Sequence, residues 1–250
     1  MNLPKITIVT VCYNAEATIE ETIKSVADQT YQNIEYLIID GQSKDDTWKI
    51  VKKFFNLSYI RAISEKDSGL YNAMNKAIHI ATGQYIIFLN SGDLFYHKDV
   101  LKNIAPYLMD DLVYGNVLRI TPNGKHLEKY YGRKKEFRLL LQGKMMCHQS
   151  IFTKMEVMQK YLFDETYQIT ADYDFVMRML HDKRSIKYID QTISIVDNVE
   201  GISSSLENMH IMRMEDDRSL KANFPFWYYL MLPLKSAVRL IKVFFFEKTR

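Results

Sequence analysis

The sequence predicts an α/β protein, a mostly parallel central sheet with helices on its faces, followed by an amphipathic helical tail. Three observations predict it. Short β-branched, apolar runs recur along the first ninety residues. Apolar residues at helical spacing fill the gaps between them, the alternation expected of a parallel sheet. Polar and acidic residues gather where the runs stop, at the edge where such sheets bind ligands.

In order, Ile6-Thr7-Ile8-Val9-Thr10-Val11 reads as a buried strand, apolar on both faces. Ile19, Ile23 and Val26 give helical spacing within Ala15–Gln29. A second strand runs from Ile34 to Asp40. A second helix follows from Lys44 to Phe55, with Ser43 as its expected N-cap. Ile60–Ser64 is a weaker third strand. Gly69–Ala81 is a helix closed by Thr82-Gly83, where glycine would suit a left-handed C-cap. Tyr85–Leu89 is a fourth strand. Beyond residue 94 the alternation loosens. Leu112–Val117 and Ile186–Val196 read as strands, Asp172–Leu180 as a helix, and Gly132–Leu141 as a basic, mobile stretch.

Composition narrows the classes. The chain has 250 residues, enough for one substantial core. Its net charge of +3 is too small, and its basic residues too interspersed with acids, for a nucleic-acid reader. Cys12 and Cys147 fall in no metal or redox spacing and read as small core hydrophobes in a reducing, cytosolic setting. Met1-Asn2-Leu3-Pro4-Lys5 offers no apolar leader, so the catalytic part is expected on the cytoplasmic side. The chain carries no Walker A or GxGxxG pattern, which removes the main support for NTPase and dinucleotide-dehydrogenase readings. No Ser-His-Asp order is visible.

Three acidic places could carry chemistry. Asp40 ends a buried strand before Gly41 and can face a ligand's ring N–H or ribose hydroxyl, while Ser43, Asp45 and Asp46 cap the next helix. In Asn90-Ser91-Gly92-Asp93 a carboxylate follows the apolar Phe88-Leu89. Its oxygens would suit Mg²⁺ or Mn²⁺ bridging to a diphosphate, and the same four residues are equally turn formers. Asp172 and Asp174 lie at a helix start, where a carboxylate is either a usable general base or an ordinary cap.

Together these blocks resemble the inverting family 2 glycosyltransferases of GT-A fold, of the bacterial surface-polysaccharide type. The resemblance rests on Ile8–Ala15, Gln29–Glu35, Ile39–Thr47, Ser64–Ala77 and Ala81–Asp93. It loosens toward residue 205, with Cys147-His148-Gln149 and Asp172-Tyr173-Asp174 as anchors. It implies that Thr10, Tyr13 and Asn14 line a nucleotide pocket and that Asp40 contacts the base. It implies that Asp67 and the Gly69 helix start lie near ribose and diphosphate. Asn90-Ser91-Gly92 stands in the place of the family's DxD metal motif, a departure in both acids, with Asp93 and Asn90 as the metal ligands. Asp172 falls on the catalytic acidic motif, with Asp174 as the fallback base. His148 and Gln149 would hold donor or acceptor hydroxyls; read from the residues alone, His148 is equally a loop or core histidine.

The implied activity is a single displacement from a nucleotide-diphosphate sugar, by family habit a UDP-sugar, to a hydroxyl of a glycan or lipid-linked acceptor. A catalytically degenerate relative that binds a nucleotide sugar or a partner, and a glycosidase needing no nucleotide, are the competing readings.

The catalytic domain is expected over residues 1–223 and a membrane-associating segment over 224–250. Phe224–Leu232 is aromatic and apolar, and Pro233 breaks it. From Leu234 to Phe246, Lys235, Arg239 and Lys242 share one helical face and Leu234, Val238, Ile241 and Phe245 another. Charge and proline interrupt the run before the ~20 apolar residues a span takes. It suits lying in the interface at the inner face of a membrane, or packing on the domain core.

Overall fold

In the computed structural model, residues 3–121, 124–128, 145–197 and 206–230 are described. The basic stretch Gly132–Leu141 and the run Leu234–Phe246 lie outside them. Among the described residues nine strands form one sheet: β1 (Ile6–Cys12), β2 (Ile34–Asp40), β3 (Ile60–Ser64), β4 (Tyr85–Phe88), β5 (Leu94–Phe95), β6 (Leu112–Thr121), β7 (Gly124–Glu128), β8 (Ile151–Lys154) and β9 (Ile186–Asp197). The helices are α1 (Ile19–Ala27), α2 (Thr47–Lys52), α3 (Leu70–Ile80), α4 (Val100–Ile104), α5 (Met155–Tyr161), α6 (Ala171–His181) and α7 (Leu206–Asn223).

The strand order is β3-β2-β1-β4-β8-β6-β9-β5, with β7 paired to β6. Strands β1 to β4 are all parallel, as the alternating sequence predicts. Beyond β4 the sheet is mixed. Strand β8 runs antiparallel to β4 and β6, β9 is parallel to β6, and β5 closes the edge antiparallel to β9. Antiparallel neighbours need no crossover helix, which is why the strand–helix rhythm fades after residue 94.

The parallel strands are apolar throughout because both faces are covered. On one face Val9, Val11, Leu37, Ile39, Ile86 and Phe88 pack beneath α3, α5 and α6. On the other Ile6, Ile8, Ile38 and Ile87 pack beneath α1 and α4. Cys12 and Cys147 are buried and unbridged, the small-hydrophobe role expected of them.

Helix α7 packs on α6 and buries Leu220 completely. Its Glu215 is also buried. The carboxylate accepts the backbone N–H groups of Gln168 (2.6 Å), Ile169 (3.0 Å) and Thr170 (2.9 Å), and the Thr170 hydroxyl, at the mouth of α6. Residues 225–230 form a further helical turn. Phe224 and Tyr228 pack against the core, whereas Phe226, Trp227, Tyr229 and Leu230 are exposed.

Two local expectations are corrected. Ser43 is not the N-cap of α2. Asp46 holds that place, because Ser43 is committed to Asp40 and to the N–H of Asn14. Gly83 is not a left-handed cap. Helix α3 ends on an extended Ala81, and Gly83 is needed for close approach. Its N–H donates to Thr7 Oγ1, which donates in turn to the buried Glu35. A Cβ there would lie 2.5 Å from Thr7 Oγ1 and 2.7 Å from Thr7 N. Gly83→Ala therefore displaces the start of β1 and should lower stability by about 1–3 kcal/mol in urea unfolding. An unchanged midpoint would show that the junction yields freely.

Candidate active site

The parallel register brings the carboxyl ends of β1, β2 and β3 level, with Cys12 beside Asp40 and Asp40 beside Ser64. Asp40 is completely buried. It accepts hydroxyl hydrogen bonds from Ser43 and Ser64, both 2.5 Å, and the N–H of Ser43. It thus pins the β2–α2 loop to β3. Burial, then the neighbouring Asp40 carboxylate, pushes the Cys12 thiol far up, so this cysteine is inert.

Above Asp40 lies the backbone of Gly41. A side chain here would strike Asp67 Oδ2 at 2.6 Å and crowd Tyr13 Cδ2 at 3.3 Å, so glycine lets the exposed Tyr13 and Asp67 close over this strand end. Asp67 Oδ1 accepts the N–H of Gly69, which opens α3. Asn14 is spent on the loop, its Oδ1 accepting the N–H of Lys44 at 2.8 Å. Thr10 points into the sheet, donating to Leu89 O at 2.7 Å and sharing a hydrogen bond with Tyr36. Of the residues expected around a nucleotide, Tyr13, Asn14, Asp67 and Gly69 are thus at or near the surface, and the buried Thr10 and Asp40 brace the ground beneath.

The turn after β4 is fastened to α1 and the segment before it. Ser91 Oγ meets Thr18 Oγ1 at 3.0 Å, and the N–H of Gly92 donates to Thr22 Oγ1 at 3.0 Å. Asp93 is buried, and burial pushes its carboxyl up to about 6, although Gln149 Nε2 donates to Oδ2 at 2.9 Å. Asn90 Nδ2 lies 3.1 Å from His148 Nε2. Among the described residues Asn90 Oδ1 is buried without a hydrogen-bond partner.

His148 and Gln149 belong to one turn of 3-10 helix, His148–Ser150, between the Asn90–Asp93 turn and α6. On its far side His148 Nδ1 lies 3.1 Å from Asp172 Oδ2. Asp172 is the second residue of α6, and its Oδ1 accepts the N–H of Tyr173 at 2.9 Å. Tyr71 of α3 gives its one proton to Ile169 O at 2.5 Å, so its 3.4 Å contact with Asp172 Oδ1 is the lesser arm. The imidazole and the Asp172 carboxylate remain about one quarter exposed, at 24% and 22%.

Asp174 does not join this cluster. It is buried and faces α7, accepting from Tyr167, Ser219 and Arg178 Nε, the last at 2.7 Å, in a partly buried ion pair. Sequence reading missed Glu215 and the double bridge through His148 and Gln149. The only signal was the adjacency of His148 and Gln149, since their partners lie 24 and 56 positions away. Among the described residues no group of three or more His, Cys, Asp or Glu side chains stands arranged to hold a metal ion.

The mixed sheet with helices on its faces is the GT-A fold of nucleotide-sugar transferases, which the solved structures below share. The chain belongs to glycosyl transferase family 2, whose profile matches residues 7–189, and it is a glycosyltransferase. It is 27% identical over 221 residues to a PGL/p-HBAD biosynthesis glycosyltransferase of Mycobacterium tuberculosis, covering 85% of this chain and 84% of the relative. It is 41% identical over 99 residues, 40% of this chain and 39% of the relative, to the Escherichia coli UDP-Glc:alpha-D-GlcNAc-diphosphoundecaprenol beta-1,3-glucosyltransferase WfaP. Its fold matches S. aureus TarS 1-349 in complex with UDP-GlcNAc, at TM-score 0.68 and 19% identity over 88% of this chain and 67% of that one. It also matches the mannosyltransferase PcManGT from Pyrobaculum calidifontis in complex with GDP-Man and Mn²⁺, at TM-score 0.64 and 18% identity over 90% and 64%.

The raised Asp93 has a consequence for stability. Below about pH 4 both folded and unfolded chains hold this proton. Between about 4 and 6 the unfolded chain releases it first, so stability falls as pH rises through that window. With chelator present, Asp93→Asn should be more stable than the wild type at pH 8 by on the order of 2 kcal/mol, since Asn still accepts from Gln149. Urea unfolding across pH should show the difference closing between pH 6 and 4; a pH-independent difference would contradict the assignment.

Proposed function

We propose that the chain moves a sugar from a nucleotide-diphosphate sugar, first a UDP-sugar, to a hydroxyl of a glycan or lipid-linked acceptor, inverting the anomeric centre. The observation that carries this is Asp172, about one quarter exposed and linked through His148 to Asn90 of the Asn90–Asp93 turn. Tyr13, Asp67 and the start of α3 would hold the nucleoside and diphosphate. Helix N-termini favour such anions, and this one opens on Gly69, whose N–H is already taken by Asp67.

Asp172 takes the proton of the acceptor hydroxyl as that oxygen forms its bond to the anomeric carbon. The bond to the diphosphate breaks, and its electron pair leaves on the phosphate oxygen. Asp174, locked to Arg178 and α7, keeps α6 in place.

The donor set near the diphosphate is oxygen, which suits a hard cation such as Mg²⁺ or Mn²⁺. Among the described residues the buried Asn90 Oδ1 lacks a protein partner, and Asp93, in the same turn, supplies a carboxylate. These two residues would hold the ion, which when bound supplies positive charge to the leaving diphosphate.

A second reading, a nucleotide-sugar binder without transfer, draws on the Asn and Gly in the two acidic places of the DxD motif. Transfer or donor hydrolysis by purified protein, lost in Asp93→Ala, separates the two. Asp172→Asn should lower kcat about 10²- to 10⁴-fold, the range of a lost general base, with donor affinity by calorimetry within a few-fold of wild type. Full activity in that variant would remove Asp172 from the role.

A lipid-linked acceptor calls for approach to a membrane. Among the described residues no helix is long and apolar enough to cross one. The cluster of Phe226, Trp227, Tyr229 and Leu230 is suited instead to the interface, where aromatic rings and neighbouring basic groups lodge. This favours the peripheral membrane placement expected from the tail at residues 224–250. Replacing Phe226 and Trp227 together by Ser should reduce co-sedimentation with anionic liposomes several-fold; equal sedimentation would exclude these rings as the anchor.

A further inference from the structure

We propose that His148 is a positioning residue for Asp172, aligning the base from the 3-10 turn that also touches Asn90. The inference rests on Asp172 being the base and adds the side chain through which it is aimed.

The argument begins with the two ring nitrogens. Nδ1 faces Asp172 Oδ2 at 3.1 Å and Nε2 faces Asn90 Nδ2 at 3.1 Å. Both are engaged, so neither is left to grip a sugar hydroxyl. An ionised carboxylate only accepts, which places the proton on Nδ1. A neutral ring then presents Nε2 as an acceptor, the role that the Asn90 amide N–H fills. The same assignment leaves Asn90 Oδ1 facing away from the ring, buried and without a protein partner. The three side chains therefore fix one another's orientation, and each hydrogen bond determines the sense of the next.

The effect on the base is directional. A carboxylate has about four lone-pair sites. The N–H of Tyr173 takes one on Oδ1, and His148 takes one on Oδ2. These two bonds, from α6 itself and from the 3-10 turn, stop rotation about the Cβ–Cγ bond of Asp172. The remaining lone pairs then point where the incoming hydroxyl must lie. Without His148 the carboxylate is held at one oxygen only, and misplacing a reacting group by about 1 Å can cost about 10²-fold in rate.

The two amide replacements separate this role from others, because an Asn side chain can put its N–H near the position of Nδ1 and a Gln side chain near that of Nε2. His148→Ala should lower kcat about 10²-fold with little change in donor KM. His148→Asn should recover at least ten-fold of that loss by donating again to Asp172. His148→Gln, which keeps only the link to Asn90, should resemble His148→Ala. A His148→Gln enzyme as fast as or faster than His148→Asn, or a loss confined to donor KM, overturns the proposal in favour of a donor contact.

A readout independent of turnover is the imidazole tautomer, seen in long-range ¹H–¹⁵N spectra of the wild-type protein. The protonated-Nδ1 form is expected, with that preference lost in Asp172→Ala. A protonated-Nε2 form, or no response to Asp172→Ala, overturns the inference. Absence of transfer by the wild type with any nucleotide sugar would instead defeat the function assigned to the site, and the tautomer would still report whether His148 holds Asp172.

Discussion

The site is held together by one short turn of 3-10 helix. Through His148 it reaches Asn90 and Asp172, and through Gln149 it reaches Asp93. Three chain segments far apart in sequence thereby acquire a fixed geometry: the end of β4, the stretch before β8, and the first turn of α6. The turn can do this because its flanks are buried. Cys147, Gln149 and Ser150 are all within the interior, and only His148 opens partly to solvent. Polar groups in such a place must be paired, and the available partners are the site residues.

Acidic residues here divide by what surrounds them. Glu35, Asp40, Asp174 and Glu215 are buried and receive donors from hydroxyls, backbone N–H groups or arginine. They join elements: Glu35 ties β1, β3 and the α3–β4 turn, Asp40 ties β2 to β3, and Asp174 and Glu215 tie α6 to α7. Asp67, beyond the end of β3, and Asp172, at the start of α6, keep part of their surface open. Asp93 lies between these groups, buried and with its proton held more tightly than an ordinary carboxyl.

Much of this was legible in the sequence. The first four strands and their helices follow from apolar period and from breaks at polar residues, because covered parallel strands must be apolar on both faces. The mixed half was less so, since short antiparallel strands leave no strand–helix rhythm. The site residues were legible as types and places, less so as directions. Asp172 and Asp174 stand two residues apart on one helix, about 200° around its axis, so they point to opposite sides. Which side holds the cleft depends on where α7 packs, and α7 lies more than thirty residues further on. Thr10 and Asp40 were found at the right strand ends but face inward, where Tyr36, Ser43 and Ser64 complete their hydrogen bonds.

The carboxylate of Glu215 grips the three backbone N–H groups leading into α6, and it comes from a helix that begins only at Leu206. On a ribosome, the nine described strands emerge before that clamp does. A nascent chain can assemble the sheet and the donor-facing loops while the segment presenting Asp172 is tied only by its contacts with α3 and His148. The last tie on the entry to α6 then forms late in synthesis, after the sheet is complete.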